Sequence, residues 1–488
     1  MQSIVAVVAT GFLLASAAAA QESWEFSPYK VRVWVAIDSS AGLTPAYRKQ
    51  LDKTLEQRAE SQMPAVWDLS TSSPPGALAA AMSLDLNSVQ RADVERVAAD
   101  VLDCDKLMLL SVRATSRAFQ VQAREMDGRT RRFGPVIERS VRQLRMLDAE
   151  CFSAILSAFG AMVRIEQGEG RHLTVRLRAG GLITDRASPA YIAEGDVLQP
   201  VIRRNDRLGQ PTSINVVQWT YLQVERRSEI NPNLLEVYVH SGWRSPIRGN
   251  TGSRREQYAF VIRPTHVSTN LLVEARPLRR GDEPYPLEGM EIYSKRPSTE
   301  PPSQLPEERQ AAEKRNPPEY LGRTDWRGAV AIPRGDLPLR LLYIKNGSQL
   351  LARLPIVPGL DLSQVAQVPD DDPRLQAEGY IKGYNGELTD LVAQRQMYAT
   401  QIRKRLAEGQ VAEAEKLLER FRELPSRNNM VRELDQQQTR QKTSPTRTVQ
   451  QRIERLYADT RKMVTKYLDP SLDGALLTEL NQARAGGK

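Results

Sequence analysis

Apolar residues along this chain change their period for good at Pro373. Before it, short alternating runs dominate, the two-residue period of strands. After it, every apolar repeat falls at three- and four-residue spacing, the period of helices. A chain of 488 residues patterned in this way must join at least two kinds of structure, and its length allows three domains or more. A hydrophobic fraction of 41% and a charged fraction of 26% are ordinary for globular domains.

The first twenty residues set an expected compartment. Ile4 to Leu14 is an apolar run interrupted only by Thr10 and Gly11, and Ser16 and four alanines follow, ending at Ala20. Such a run is short for roughly 30 Å of hydrocarbon, and small residues at its end suit a signal peptidase. Residues 1–20 are therefore expected to be a signal peptide cut after Ala20. The opening MQSIV departs from that pattern in carrying no Lys or Arg. Gln21 rather than Cys follows the cut, so no lipid anchor is indicated. The mature chain is expected to be periplasmic or extracellular, with no transmembrane span.

Residues 30–167 read as an α/β head. Val31, Val33, Val35 and Ile37 alternate as in a strand, and Thr44-Pro45 caps and opens a helix carrying Leu51 and Leu55. Leu107–Val112 is a continuous apolar run, as in a strand covered on both faces. Asp127-Gly128 makes a hairpin turn into Thr130–Phe133. Val141, Leu144, Leu147, Cys151, Ile155 and Phe159 recur at helical spacing.

From His172 short strands with turn-rich loops suggest a first Ig-like β-sandwich over 171–265. Its long strand, Ile214–Val224, is expected to bury Trp219 and Tyr221 as an aromatic core. A second sandwich is expected over 268–360, interrupted by a polar, Pro-rich insertion at 297–318 that reads as disordered. Residues 373–484 form the helical tail. There Val449, Ile453, Leu456, Thr460, Met463 and Tyr467 recur at heptad spacing for fewer than three heptads. Such a stripe suits an antiparallel packing face, and alternatively a homo-oligomer contact. The fold class is thus multidomain α+β: an α/β head, two Ig-like sandwiches and a helical tail.

Net charge is +9, and 54 of the 68 basic residues are arginine, spread along the chain. Arginine favours bidentate contacts to carboxylates and phosphates. The charge would permit nucleic acid binding, but an exported chain is not expected to meet any. Cys104 and Cys151 are the only cysteines. Export permits a bridge between them, while the apolar stripe around Cys151 equally suits a free buried thiol.

Motifs that carry chemistry are sparse. No P-loop, Rossmann glycine pattern, HExxH or CxxC occurs, and His172, His240 and His266 have no metal-ligand spacing. Asp38-Ser39-Ser40-Ala41-Gly42 resembles the metal loop of von Willebrand A domains, but Gly42 replaces the second serine, and an ordinary strand-to-helix turn accounts for it. His240-Ser241 lacks an assignable third partner for nucleophilic catalysis. Asp370-Asp371-Asp372 before Pro373 suits the positive end of a helix. No catalytic residue, cofactor or metal is expected.

The most site-like stretch is 241–256 (SGWRSPIRGNTGSRRE), where Trp243 stands among Arg244, Arg248, Arg254 and Arg255. An aromatic ring with guanidinium groups suits a carboxylate, a phosphate or an acidic sugar. Alternatively the loop is a solvated basic hairpin whose Trp packs on a neighbouring module.

Gly322-Arg323-Thr324-Asp325-Trp326-Arg327-Gly328-Ala329-Val330 resembles the Thr-Asp-x-x-Gly turn of carboxypeptidase-regulatory-like (transthyretin-type) β-sandwiches. This resemblance covers about ninety residues and implies a spacer or adhesive module, departing from the pattern by the Pro-rich insertion. QWTYLQV (218–224), HSGWRSPIRG (240–249), RPTHVSTNLLV (263–273) and LARLPIVPGL (351–360) make the whole chain similar to exported modular proteins of planctomycete bacteria. The expected function is a non-enzymatic binding or scaffold protein of the cell envelope or periplasm, its partner an envelope protein or an anionic glycan. The alternative is a carbohydrate- or peptide-processing enzyme whose site assembles from distant carboxylates.

Overall fold

The structure, a computed structural model, describes residues 24–97, 104–242, 247, 254–279, 281–299 and 305–486. The expected signal peptide at 1–20 lies outside them. Helices and sheets are both abundant, and the chain is multidomain α+β with a helical C-terminal region. No helix among the described residues is long and apolar enough to cross a membrane.

Strand β1 (Tyr29–Ile37) alternates as expected, yet its second half is largely buried on both faces. It lies inside a six-stranded sheet, between β2 (Trp67–Ser72) and β3 (Lys106–Ala114) and parallel to both. Parallel neighbours require crossovers. Helix α1 (Pro45–Gln62) crosses on one face, its Leu51 and Leu55 packing with Val31, Val33 and Val35. Helices α2 (Gly76–Leu84) and α3 (Arg91–Val97) cross on the other, setting Leu78, Met82 and Val94 against Trp34, Ala36 and Leu109. β4 (Phe119–Asp127) continues antiparallel to β3 and is flanked by β5 (Arg132–Phe133) and β6 (Ile137–Val141). Val141 therefore ends a strand opposite Phe119, and helix α4 begins only at Leu147, running to Ala158. The Asp127-Gly128 hairpin holds as expected. Asp127 accepts from the Thr130 amide at 2.7 Å, and a Cβ on Gly128 would stand 2.0 Å from the Cys104 carbonyl oxygen. Only glycine fits there.

The expected sandwich at 171–265 is instead a closed barrel. Its strands are β7 (Met162–Glu169), β8 (His172–Leu177), β9 (Val197–Asn205), β11 (Thr220–Arg227), β12 (Leu234–Ser241) and β13 (Arg255–Val261). They pair antiparallel in the ring β7-β8-β12-β11-β9-β13-β7, and β10 (Pro211–Val216) adds on β9. Closure removes the free edges a sandwich would keep. Because β7 pairs with both β8 and β13, the barrel begins at Met162, inside the segment expected to belong to the head. Inward residues such as Val163, Val175, Leu222, Val237 and Ala259 form one continuous cluster with the α1–α4 side of the head. Head and barrel share one core.

The expected long strand Ile214–Val224 is broken at Trp219, whose φ of 52° is left-handed. A bulky residue rarely adopts that conformation. Here the Trp219 carbonyl accepts from the Gly242 amide at 3.0 Å, and its indole leaves the barrel to join the next module's core. Tyr221 also faces outward, packing with Leu339 and Val357. The pair expected to fill this module's own interior thus joins it to the following one.

That following module has two sheets enclosing one apolar cluster. One holds β14 (Ser268–Ala275), β17 (Ala329–Pro333) and β20 (Ser363–Val368), with β14 parallel to β20. The other is antiparallel, in the order β16 (Glu319–Arg323), β15 (Glu291–Lys295), β18 (Arg340–Asn346), β19 (Gln349–Ile356). An Ig-like strand arrangement is not established for either module. Within the insertion expected to be disordered, Pro306–Arg315 forms helix α5. Its signals are local: Pro in the first turn, Glu307 and Glu308 near the positive end, Lys314 and Arg315 near the negative one.

The tail starts with the long helix α6 (Asp372–Ala407), followed by α7 (Val411–Glu423), α8 (Arg427–Arg440), α9 (Arg447–Tyr467) and α10 (Ser471–Gly486). The α9 stripe is buried as Val449, Ile453, Tyr457, Thr460 and Val464, against Ile381 and Tyr384 of α6 and Leu434 of α8. Gln441 donates to the Pro373 carbonyl at one end, and Tyr467 lies beside Val392 and Gln396 at the other. The stripe therefore runs parallel to α6 and antiparallel to α8, whose Asp435 and Gln438 accept from Arg461, so the antiparallel packing face is met within one chain; most of the surface that would serve a homo-oligomer is covered, with Tyr467 left exposed at its end. Where body meets tail, Arg374 is 2% exposed; its Nε donates to Asp371 at 2.7 Å and an Nη to the Asn346 carbonyl at 2.8 Å. Arg374→Ala would strand the buried Asp371 carboxylate and is expected to lower stability by about 3–5 kcal/mol, measured by chemical denaturation. Faster proteolysis between residues 368 and 376 should accompany it.

Candidate functional site

Where head, barrel and third module meet, β4 carries three alternate residues that face α4 and the barrel: Ala123, Glu125 and Asp127. Lys106 of β3 is fully buried between the last two, its Nζ 2.5 Å from Glu125 Oε1, 3.0 Å from Asp127 Oδ2 and 2.7 Å from the Gly160 carbonyl. The Gly160 amide donates back to Glu125 Oε2 at 2.6 Å. Burial pushes the Glu125 carboxyl above the ordinary carboxylate range despite Lys106. At Asp127 burial acts the same way, but Lys106 and the two Thr130 donors outweigh it and hold the carboxyl low. Lys106 itself is held charged, because the two carboxylates overcome its desolvation. A second pair extends the seam: Arg178 of the barrel donates to Asp105 at 3.0 Å and to the Trp24 and Pro28 carbonyls.

Glu125 and Asp127 reach the wall of a cleft of about 770 Å³, closed on its other sides by β13 and the loops at 334 and 360–362 of the third module. Arg132, Arg263 and Arg334 line it, with Asp361 opposite. Arg132 is held by Gln199 at 2.5 Å and lies 5.1 Å from the Phe260 ring centre. It also lines a neighbouring cleft of about 1020 Å³ between barrel and third module, with Asp361, Gln199, Gln218, Gln364 and Trp219. One guanidinium therefore stands between two polar clefts, in reach of any ligand spanning them. Arginine presents a rigid fork of donors to carboxylate or phosphate, and amide side chains add paired donors and acceptors.

The residues singled out from sequence do not converge here. Trp243, Arg244 and Arg248 lie outside the described residues. Arg254 is exposed and Arg255 begins β13 opposite Arg204. The cleft uses the other end of β13, about 20 Å away at roughly 3.3 Å per residue. Cys104 and Cys151 are both free. Of the two alternatives the free thiol holds and the bridge is not formed, because Cys104 packs with the cluster on the α2 side of the sheet and Cys151 with the cluster on the α1 side. Asp38–Gly42 is a 3₁₀ turn in which Ser39 bonds Asp38, and no group of His, Cys, Asp and Glu suited to a metal occurs among the described residues. His240 and Ser241 point to opposite faces of β12: His240 meets Gln223 at 3.0 Å, and Ser241 meets Thr220 at 2.9 Å. Arg132, Arg263 and Arg334 had no local signal, since they are separated in sequence and only the fold collects them.

Two outcomes are expected. Lys106→Ala leaves two buried carboxylates without a cation and should cost about 3–5 kcal/mol in chemical denaturation; an unchanged midpoint would show that the seam does not depend on it. His240 is held neutral, its pKa pushed down to about 4 by burial and then by Arg171 and Arg353. The unfolded chain takes up that proton near pH 6.5, so the stability is complete above that value and is lost as pH falls toward 4, by about 3 kcal/mol. His240→Gln should flatten this loss when denaturation midpoints at pH 7.5 and 4.5 are compared.

No family model matches the chain, and no curated protein matches it. Among solved structures, the chain is similar to the lipoprotein GNA1162 from Neisseria meningitidis at 14% identity and a TM-score of 0.16, over 26% of this chain and 96% of that one. It is also similar to TolB from Acinetobacter baumannii at 12% identity and a TM-score of 0.17, over 70% of this chain and 96% of that one. Scores this low establish no shared fold.

Proposed function

We propose that the protein is a non-enzymatic exported binding or scaffold protein of the cell envelope, and that it holds an anionic group of its ligand in the cleft between head, barrel and third module. The observation that carries this reading is Arg132, fixed by Gln199 and shared by two adjoining polar clefts. Export is supported by the apolar run Ile4–Leu14 and the small residues up to Ala20. In this reading the third module is a carboxypeptidase-regulatory-like spacer. Its support is the Thr324-Asp325 turn: Thr324 is buried and bonds the Leu287 carbonyl and the Met290 amide, and Asp325 accepts from the Arg327 and Ala329 amides. The similarity to exported planctomycete proteins fits the same picture of modules joined in series.

One observation favours the enzymatic alternative. Glu125 and Asp127 reach the same cleft with their acidities pushed apart, the arrangement that separates an acid from a base. Both Glu125 oxygens, however, are already taken by Lys106 and Gly160, which suits a strut better than a proton donor.

A thermal-shift panel of carboxylate- and phosphate-bearing saccharides and peptides tests the binding reading. A stabilising compound should lose at least tenfold in affinity with Arg132→Met/Arg263→Met. Compounds that stabilise the double variant equally would remove the cleft as the site. Hydrolysis of any panel member that disappears in Glu125→Gln would establish the enzyme instead.

A further inference from the structure

The outer face of the four-stranded sheet carries an arrangement that the clefts do not use. On its inner face Ile292, Leu342, Ile344 and Leu354 join the module core, so the intervening residues point away from it. Strand register sets these side by side: Tyr320 opposes Tyr293, Tyr293 opposes Tyr343, and Tyr343 opposes Arg353. Three tyrosines and an arginine thus form one row across all four strands. The Tyr293 and Tyr320 ring centres are 5.3 Å apart and tilted by 58°. Lys345 Nζ stands 4.8 Å from the Tyr293 ring centre, and Lys295 Nζ 5.5 Å from that of Tyr343.

The chemistry of this face narrows its occupant. Arg353, Lys345 and Lys295 gather on one surface; Lys295 pairs with Glu313 at 3.6 Å, and Glu291, opposite Lys345 in the register, is itself bonded to Arg323 at 2.6 Å. Neither Lys345 nor Arg353 closes an ion pair among the described residues, so the face suits an anion. Protein–protein interface cores are enriched in aromatic residues and arginine but depleted of lysine, and here two lysines stand against the rings. A single-stranded nucleic acid needs open ring faces for its bases, whereas here lysine ammonium groups already lie by the rings and neighbouring rings are tilted. What remains available is a line of ring edges and phenol oxygens interleaved with cations, the Tyr293 hydroxyl donating to Glu291 at 3.1 Å and keeping its oxygen as an acceptor. That set meets hydroxyl and carboxylate groups repeated along a chain.

We infer that the tyrosine row of the four-stranded sheet is a second binding surface, and that it takes an extended acidic polysaccharide bearing carboxylates, laid across the strands. Lys345 and Arg353 pair with successive carboxylates, and the tyrosine hydroxyls bond the sugar hydroxyls between them. The row lies outside the two clefts, so it adds a polymer contact to a protein whose clefts hold a smaller group.

Affinity electrophoresis of the full chain in gels containing polygalacturonate tests this. Retardation is expected with polygalacturonate and not with its methyl-esterified form, and added salt should weaken it. Lys345→Ala/Arg353→Ala should lose at least tenfold in affinity while keeping the wild-type thermal midpoint. Arg132→Met, which acts on the clefts, should leave retardation intact. No retardation, equal retardation by the esterified polymer, or an unaffected double variant would overturn the inference. So would tighter binding of a thymidine oligonucleotide at equal charge, which would assign the row to single-stranded nucleic acid. A dimer in light scattering that the double variant abolishes would assign it to a second copy of the chain, again against the inference.

Discussion

A single buried ammonium group holds the seam between the first two domains. Lys106 comes from the head sheet, and the carbonyl it reaches, at Gly160, belongs to the link into the barrel. Its two carboxylates come from β4. Ion pairs taken out of water gain little over an apolar filling of the same shape, but they tolerate no missing member. The seam therefore acts as a positional constraint more than as a source of stability. Glu125, Asp127 and Gly160 of this seam line the same cleft as Arg132 and Phe260.

The clefts follow from this placement. Arg132 begins a two-residue strand of the head, Gln199 belongs to the barrel, and Asp361 to the third module. None of these residues is near another in sequence, and none of the three domains has the cleft alone. Trp219 and Tyr221 hold the third module in place by leaving the barrel and packing into their neighbour. The site is thus a property of the joints. The tyrosine row is the opposite case, since it lies within one sheet and depends only on local register.

Local patterns explain which parts were legible in the sequence. The alternation of β1, the Thr44-Pro45 helix start, the Asp127-Gly128 turn and the long tail helices all rest on signals within a few residues. β2 was missed because it is an edge strand of sequence WDLSTS, with only Trp67 fully buried. Barrel and sandwich strands carry the same alternation, so closure through the β9–β13 and β7–β13 pairings had no sequence signature. The positive φ at Trp219 hid a strand break inside an apolar run. Stripe geometry in α9 showed burial and suited the antiparallel α8, but gave no sign that α6 would cover it as well, running in the same direction. Arginines as numerous as these have no local context that marks Arg132 among them.

The common interior of head and barrel bears on how the protein is made. Synthesis proceeds from the N-terminus, and domains ordinarily fold as they emerge. Here the α1 face of the first sheet shares its apolar cluster with Ala259, just over a hundred residues past the last head helix. Trp24, meanwhile, stacks on Tyr258 at 5.9 Å. A chain still leaving the ribosome must hold that face unfinished until the last barrel strand arrives, so the longest exposure of apolar surface falls in the first half of the molecule.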